Sequence, residues 1–365
     1  MTRSAPRRRR VARLGALLLV AGVALVVLAT PASAHGIGGT QPTNYTSKVL
    51  RLDPAVPGVH VATIDLGNRL ELSNDTGHDV FVLGYDDEPY LRVGPRGVFE
   101  NVKSPATYLN RSLTVTAAPP KSADSKAPPV WRQVSDGTVA RWHDHRSHWM
   151  GSERPPAVQR DPGRPQVIER WVVPLRTGDR AVSVRGVLAW APPPSPWPAV
   201  VAVVLLAALV TGLSRTRRWR TVLVVALSVL IVCAAVHTAG HWLDSTAGVG
   251  TTLTESLYGI VGAALGIVAL GWAARRGVEA AVPLILVASV FLLVAIGLGN
   301  IATVGHSQVP SALSAPLARA VVTCAIGIGL GLTVGAALRL RGSAPPRTRR
   351  AGPPRGSRSA ATVTS

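Results

Sequence analysis

The chain is short of cysteine, methionine and acidic residues. Two cysteines and two methionines occur in 365 residues, and both cysteines, Cys233 and Cys324, lie inside apolar runs. A disulfide framework for the polar part of the chain is thereby excluded. Also missing are a G-x-S-x-G elbow, an H-E-x-x-H pair, a Walker A loop and a Rossmann fingerprint in a strand-to-helix setting, which points away from an enzyme. The 19 Asp and Glu against 39 Lys and Arg leave a net charge of +20. Residues 35 to 196, however, hold 19 Lys and Arg against 16 Asp and Glu, so most of the excess lies in the first residues, two short loops and the tail. That distribution orients a membrane protein and forms no phosphate groove, so no nucleic-acid partner is expected.

What is present divides the chain in two. Arg7 to Arg10 and Arg13 precede the apolar run Leu14 to Leu28, and Ala32-Ser33-Ala34 follows, the pattern of a cleavable export signal over residues 1–34 that would leave His35 first. Five further apolar runs approach the ~20 residues needed to cross a bilayer: Ala199 to Leu213, Thr221 to Trp242, Thr254 to Ala274, Ala280 to Val304, and Leu317 to Leu338. Arg215, Arg217, Arg218 and Arg220 lie between the first two, Arg275 and Arg276 between the third and fourth, and seven arginines follow the fifth. Lys and Arg are retained in the cytoplasm, so these runs predict a multi-pass protein of the cell membrane with residues 35–190 extracytoplasmic and the C-terminus cytoplasmic. Gly327, Gly331 and Gly335, with Gly262 and Gly266, predict close helix packing.

Residues 35–190 read as all-β and sandwich-like. Short β-prone runs, Val59 to Asp65, Arg69 to Ser73, Val80 to Tyr85, Ser112 to Thr116, Val167 to Val173 and Val182 to Trp190, are separated by Gly, Pro, Asn and Asp. Leu70 and Leu72 alternate with Glu71 and Ser73, as a half-buried sheet requires. Pro119 to Pro129 reads as a long loop, and residues 191–198 as a stiff Pro-rich linker flanked by Trp190 and Trp197, both suited to the headgroup zone. Residues 199–338 form the predicted helical membrane domain. Residues 339–365 are a basic tail, read as disordered, whose charge attraction to anionic lipid explains.

Histidine carries the candidate chemistry. Arg141-Trp142-His143-Asp144-His145-Arg146-Ser147-His148-Trp149-Met150 places three of nine histidines within six residues. On a strand His143 and His145 would share a face and chelate a transition metal, His148 would complete the site after a turn, and Asp144 would orient a ligand. The competing account is a polar loop docked by Trp142 and Trp149 on the membrane surface or the domain core. His237 and His241 share a helical face, His306 follows the fourth apolar run, and Asp244 and Glu255 lie close in sequence, with Glu255 the expected partner. These imidazoles fit a metal site or axial ligation of a haem, or else hydrogen bonding between helices.

As a mature N-terminus, His35 resembles that of the copper-resistance periplasmic carriers, in which an amine and an imidazole reach one metal; Gly36-Ile37-Gly38-Gly39 departs from that family's start. Gly84-Tyr85 with Glu88-Pro89-Tyr90-Leu91-Arg92-Val93, together with the Trp142 to Met150 segment, resembles an actinobacterial family of exported multi-span membrane proteins. That resemblance implies the two-part architecture and no activity. Tyr85, Glu88, Tyr90 and Arg92 are expected to build a structural loop anchored by Pro89 and buried aromatics. The expectation for the whole chain is a lipid-embedded envelope protein that binds or relays a transition metal, copper foremost, on the outer side. A non-catalytic scaffold or receptor for a protein or cell-wall partner, and a haem-binding redox protein, are the alternatives.

Overall fold

The computed structural model describes residues 40–111 and 118–342. The export signal, His35, the run Ser112 to Thr116 and the tail beyond residue 342 lie outside the described residues. Ten strands form the first part: β1 Tyr45–Asp53, β2 Val59–Ile64, β3 Arg69–Asn74, β4 Val80–Leu83, β5 Pro89–Gly94, β6 Gly97–Asn101, β7 Trp131–Ser135, β8 Val139–Trp142, β9 Gln166–Thr177 and β10 Arg180–Trp190. They pair antiparallel in two sheets, one of seven strands ordered β1-β10-β9-β4-β5-β6-β7 and one of three ordered β2-β3-β8.

Alternation decides which faces meet. Leu70 and Leu72 of β3, with Ala140 and Trp142 of β8, face Val80, Val82, Leu91, Val93, Val173, Leu175 and Val184 of the large sheet across one buried core. Trp171 fits there because its cross-strand partner is Gly186, where a Cβ would strike the indole at 2.0 Å. The long loop predicted over Pro119 to Pro129 is irregular backbone with turns. Instead of the loop expected around Pro89, β5 begins at that residue, and Tyr90 is buried in the core. Trp190 is likewise in the domain interior, edge-on to Tyr45 at 5.2 Å, and its Nε1 donates to the Pro162 carbonyl; the headgroup placement expected for it is thereby corrected. Trp197, by contrast, is 70% exposed.

Five apolar helices follow: α1 Trp197–Leu213, α2 Trp219–Asp244, α3 Val249–Arg276, α4 Val278–Leu292 and α5 Ala315–Gly342. Four helical segments, Trp219–Asp244, Val249–Arg276, Val278–Gly305 and Ala315–Arg341, are long and apolar enough to cross a membrane, while α1 has 17 residues. The chain is thus an integral membrane protein with an N-terminal β-sheet domain. Beyond α4 the helix loosens through a π turn, Leu293–Gly297, where the Asn300 amide returns to the Ala295 and Ile296 carbonyls at 3.0 and 3.1 Å.

The glycine stripe predicted as a packing face meets α1. A Cβ at Gly327 would lie 2.8 Å from the Leu206 Cβ, one at Gly331 2.7 Å from the Ala207 carbonyl, and one at Gly335 2.6 Å from the Ser214 hydroxyl. Numbering rises together on both helices, so α1 and α5 run parallel at a separation only glycine permits. A Cβ at Gly262 of α3 would lie 2.8 Å from the Leu292 side chain of α4, and one at Gly266 2.9 Å from Ile231 of α2.

The β domain is bonded to two helix-end loops. Thr43 and Gln308 exchange backbone hydrogen bonds of 3.1 and 2.9 Å, Ser307 N donates to the Asn44 side chain at 2.8 Å, and the Ser307 hydroxyl donates to the Ala191 carbonyl at 3.0 Å. In the loop between α2 and α3, the Thr246 hydroxyl accepts from Arg69 and donates to Asp65, both at 2.7 Å, and Arg141 reaches the Thr246 carbonyl at 3.3 Å. Arg69 and Asp65 also pair directly.

Filling the α1–α5 contact should be costly. Gly331→Leu is expected to destabilise the purified protein by about 1–3 kcal/mol through overpacking. Gly271→Leu, with nothing within 4 Å of its Cβ position, should leave thermal unfolding unchanged. Equal melting of the two variants would contradict the packing.

Candidate functional site: the histidine loop and the helix ends below it

Strand β8 ends at Trp142, so His143 and His145 do not share a strand face as the sequence pattern suggested. The segment that follows is a turn, closed by Ser147 N on the Asp144 carbonyl at 2.9 Å. Its anchor is Asp144, whose side chain is 0% exposed. One carboxylate oxygen accepts from Trp142 Nε1 at 3.0 Å, and the pair of oxygens takes the Arg146 guanidinium at 2.8 and 2.9 Å. Asp144 therefore orients the loop, where ligand orientation was expected.

Arg146 completes the brace. Its remaining donors reach the Gly84 and Leu83 carbonyls, both at 3.1 Å, tying the loop to the end of β4, and its charge lies 4.9 Å from the Tyr85 ring centroid. Burial opposes the guanidinium charge, but the Asp144 bond and charge outweigh it and hold its pKa above the ordinary value. Glu88 braces the same corner: its buried carboxylate accepts from Ser104 at 2.5 Å and from Asp86 N at 3.0 Å. Trp142 and Trp149 pack on the domain core, the alternative to a membrane contact that the sequence left open.

The three imidazoles part company. His143 Nδ1 donates to the Asn68 carbonyl at 2.8 Å, so its ring turns toward the β2–β3 loop. His145 and His148 stay together, with centroids 5.5 Å apart and planes at 86°. Tyr85 lies alongside, 6.3 Å from the His145 ring. Its hydroxyl donates to Asn110 and accepts from His145 N at 3.2 Å, and burial together with the Asp144 charge pushes its pKa up to about 12. It is a neutral phenol at ordinary pH.

Below the domain, His241 Nε2 meets the Glu255 carboxylate at 3.0 Å, the partnership expected from the sequence. Trp242 Nε1 donates to Ser256 at 2.8 Å, and Ser245 shares a 2.8 Å hydrogen bond with Thr252. His237 lies one turn deeper in α2, and Asp244 ends that helix, exposed. His306 Nδ1 donates to Ala302 at 2.7 Å, while its carbonyl and that of Ser307 accept the Arg319 guanidinium. Among the described residues, no three His, Cys, Asp or Glu side chains converge as a ready metal cage. Sequence reasoning missed Arg146 and the Asp65–Arg69–Thr246 junction. Asp65 and Leu66 at that junction hold positive φ of 52° and 57°, a strained conformation for side-chain-bearing residues.

Two outcomes follow. Arg146→Met leaves a buried carboxylate without its counter-charge and should cost about 3–5 kcal/mol in denaturant unfolding, with Asp144→Leu restoring part of it. Burial, the largest cause, lowers the pKa of His143, and the bond to Asn68 opposes it. The native state then binds fewer protons than the unfolded chain. The His143 contribution is whole above about pH 6.5 and is lost as pH falls through the native value. Melting temperature should therefore drop more between about pH 7 and about pH 5 for the wild type than for His143→Gln; parallel profiles would refute this.

The chain matches no protein-family model, no curated protein and no solved structure, so its chemistry rests on the geometry above.

Proposed function

We propose that the protein is a five-span envelope protein whose β domain lies outside the cell and captures a transition-metal ion, copper foremost, at His145 and His148. One observation carries this reading: two half-buried imidazoles held 5.5 Å apart on a turn that Asp144 and Arg146 lock in place. A preset imidazole pair suits divalent copper, which binds nitrogen ligands more tightly than its neighbours in the first transition row. The bracing of the turn keeps the pair from collapsing when the ion leaves.

The five-span topology is supported by the charges. Arg215, Arg217, Arg218, Arg275, Arg276, Arg339 and Arg341 flank helix ends opposite those bonded to the domain. In α1, 17 residues span about 25 Å, and its parallel course with α5 supports counting it as a span. The same topology sets His237, His241 and His306 on the outer side, where the His241–Glu255 pair would receive or sense the ion. A second reading, a non-catalytic receptor for a cell-wall partner, is favoured by the cationic outer face of the large sheet.

Copper content and electron paramagnetic resonance of purified, copper-loaded protein test the metal reading. About one Cu(II) per chain with nitrogen hyperfine structure is expected. It should disappear in the His145→Ala, His148→Ala double variant and persist in His143→Ala. Copper-free wild type, or equal binding by the double variant, would overturn the proposal.

A further inference from the structure

The outer face of the seven-stranded sheet, turned away from the core, has a composition unlike the rest of the domain. Strand register places Arg176, Phe81, Arg92 and Phe99 in one row across β9, β4, β5 and β6. A second row runs Lys48, Val187, Arg170 across β1, β10 and β9, and a third pairs Arg51 with Arg185. Asp53, in register with Ser183 beside the third row, is shared by Arg185 and Arg51 at 2.9 and 3.5 Å.

The arginines in the first row are stacked. Arg92 lies 4.1 Å over the Phe99 ring centroid and 5.1 Å from that of Trp131, and Arg176 lies 5.3 Å over Phe81. Stacking consumes the flat face of a guanidinium and restrains it. On Arg176, which is exposed, the in-plane N–H edges that grip carboxylates in pairs stay available, whereas the Arg92 side chain is 17% exposed. Asp79 pairs with Arg92 at 4.0 Å and with the exposed Arg96 at 3.9 Å.

Spacing points to a polymer. Neighbouring strands are about 4.8 Å apart, so Arg176 and Arg92, like Lys48 and Arg170, are separated by about 10 Å with an apolar residue between them. A small anion meets one such cation. A chain of acidic sugars meets several at once and sets ring faces against Val187 and Val172 beside the charges. Among the described residues, the contacts that fix the domain to the helices come from Thr43, Asn44, Asp65, Arg69, Arg141 and Ala191, none of which belongs to these three rows.

We propose that the outer face of the large sheet, through Lys48, Arg51, Arg92, Arg170, Arg176 and Arg185, binds a carboxylate-bearing polysaccharide of the cell envelope. This deepens the receptor reading and stands apart from the metal site.

Full-length protein in nanodiscs of neutral lipid is tested by biolayer interferometry on immobilised polygalacturonate and on neutral dextran, with a chelator present so that a failed metal site cannot affect the result. The expected outcome is binding to polygalacturonate alone, weakened by salt, and reduced about tenfold or more in the Arg92→Gln, Arg170→Gln, Arg176→Gln triple variant. Lys103→Gln, which removes a cation outside these rows, should bind as wild type does, and unchanged melting of the triple variant shows that folding is intact. Absence of binding, equal binding by wild type and triple variant, equal binding to dextran, or stronger binding to poly-L-glutamate or to anionic phosphatidylglycerol vesicles would each overturn the proposal.

Discussion

The structure depends on how the β domain is fastened to the helices. The Thr43–Gln308 backbone exchange, the Asn44 and Ala191 contacts to Ser307, and the Asp65–Arg69–Thr246 junction bond both ends of the domain and its smaller sheet to the loops after α2 and α4. Hydrogen bonds from two separate loops restrain tilt as well as position. Because α1 leaves the same corner of the domain and packs parallel to α5, the glycine stripe carries this restraint into the bundle.

The fastening also brings two polar regions close. His143 is bonded to Asn68, beside Arg69, which is bonded to Thr246; Ser245, next to Thr246, is bonded to Thr252 on α3, where Glu255 holds His241 one turn further on. The strained turn at Asp65 and Leu66 lies in the middle of this path. In the proposed function, capture at His145 and His148 occurs on the loop that begins this path, and the helix-end imidazoles stand at its far end.

Much of this was legible in the sequence because it depends on local periodicity. Helix extents follow apolar run lengths, Leu70 and Leu72 reveal the buried face of β3, and the four-residue glycine spacing marks the α1–α5 contact. Other parts depend on pairing that no window displays. Strand β1 was missed because a register shift between Val49 and Arg51 breaks its alternation, and β7 because nearly all of it is exposed. Val139 to Trp142 is a strand too short to stand out from the histidines after it, so those histidines were assigned strand geometry. Arg146 looked like one more surface arginine until Asp144, Leu83 and Gly84 were seen around it. The Arg–Phe row exists only across four paired strands, with Phe81, Arg92 and Phe99 on successive short ones and Arg176 far along the chain.

In the proposed topology the domain and the helix ends bearing His237, His241 and His306 face the cell exterior together. Cysteine accessibility in intact cells tests it, with Cys233 and Cys324 first changed to serine. Ala247→Cys, exposed beside the Thr246 junction, should react with a membrane-impermeant maleimide, and Arg217→Cys, at the opposite helix ends, should react only after the cells are opened. The reverse pattern, or equal labelling of both positions in sealed cells, would contradict the account.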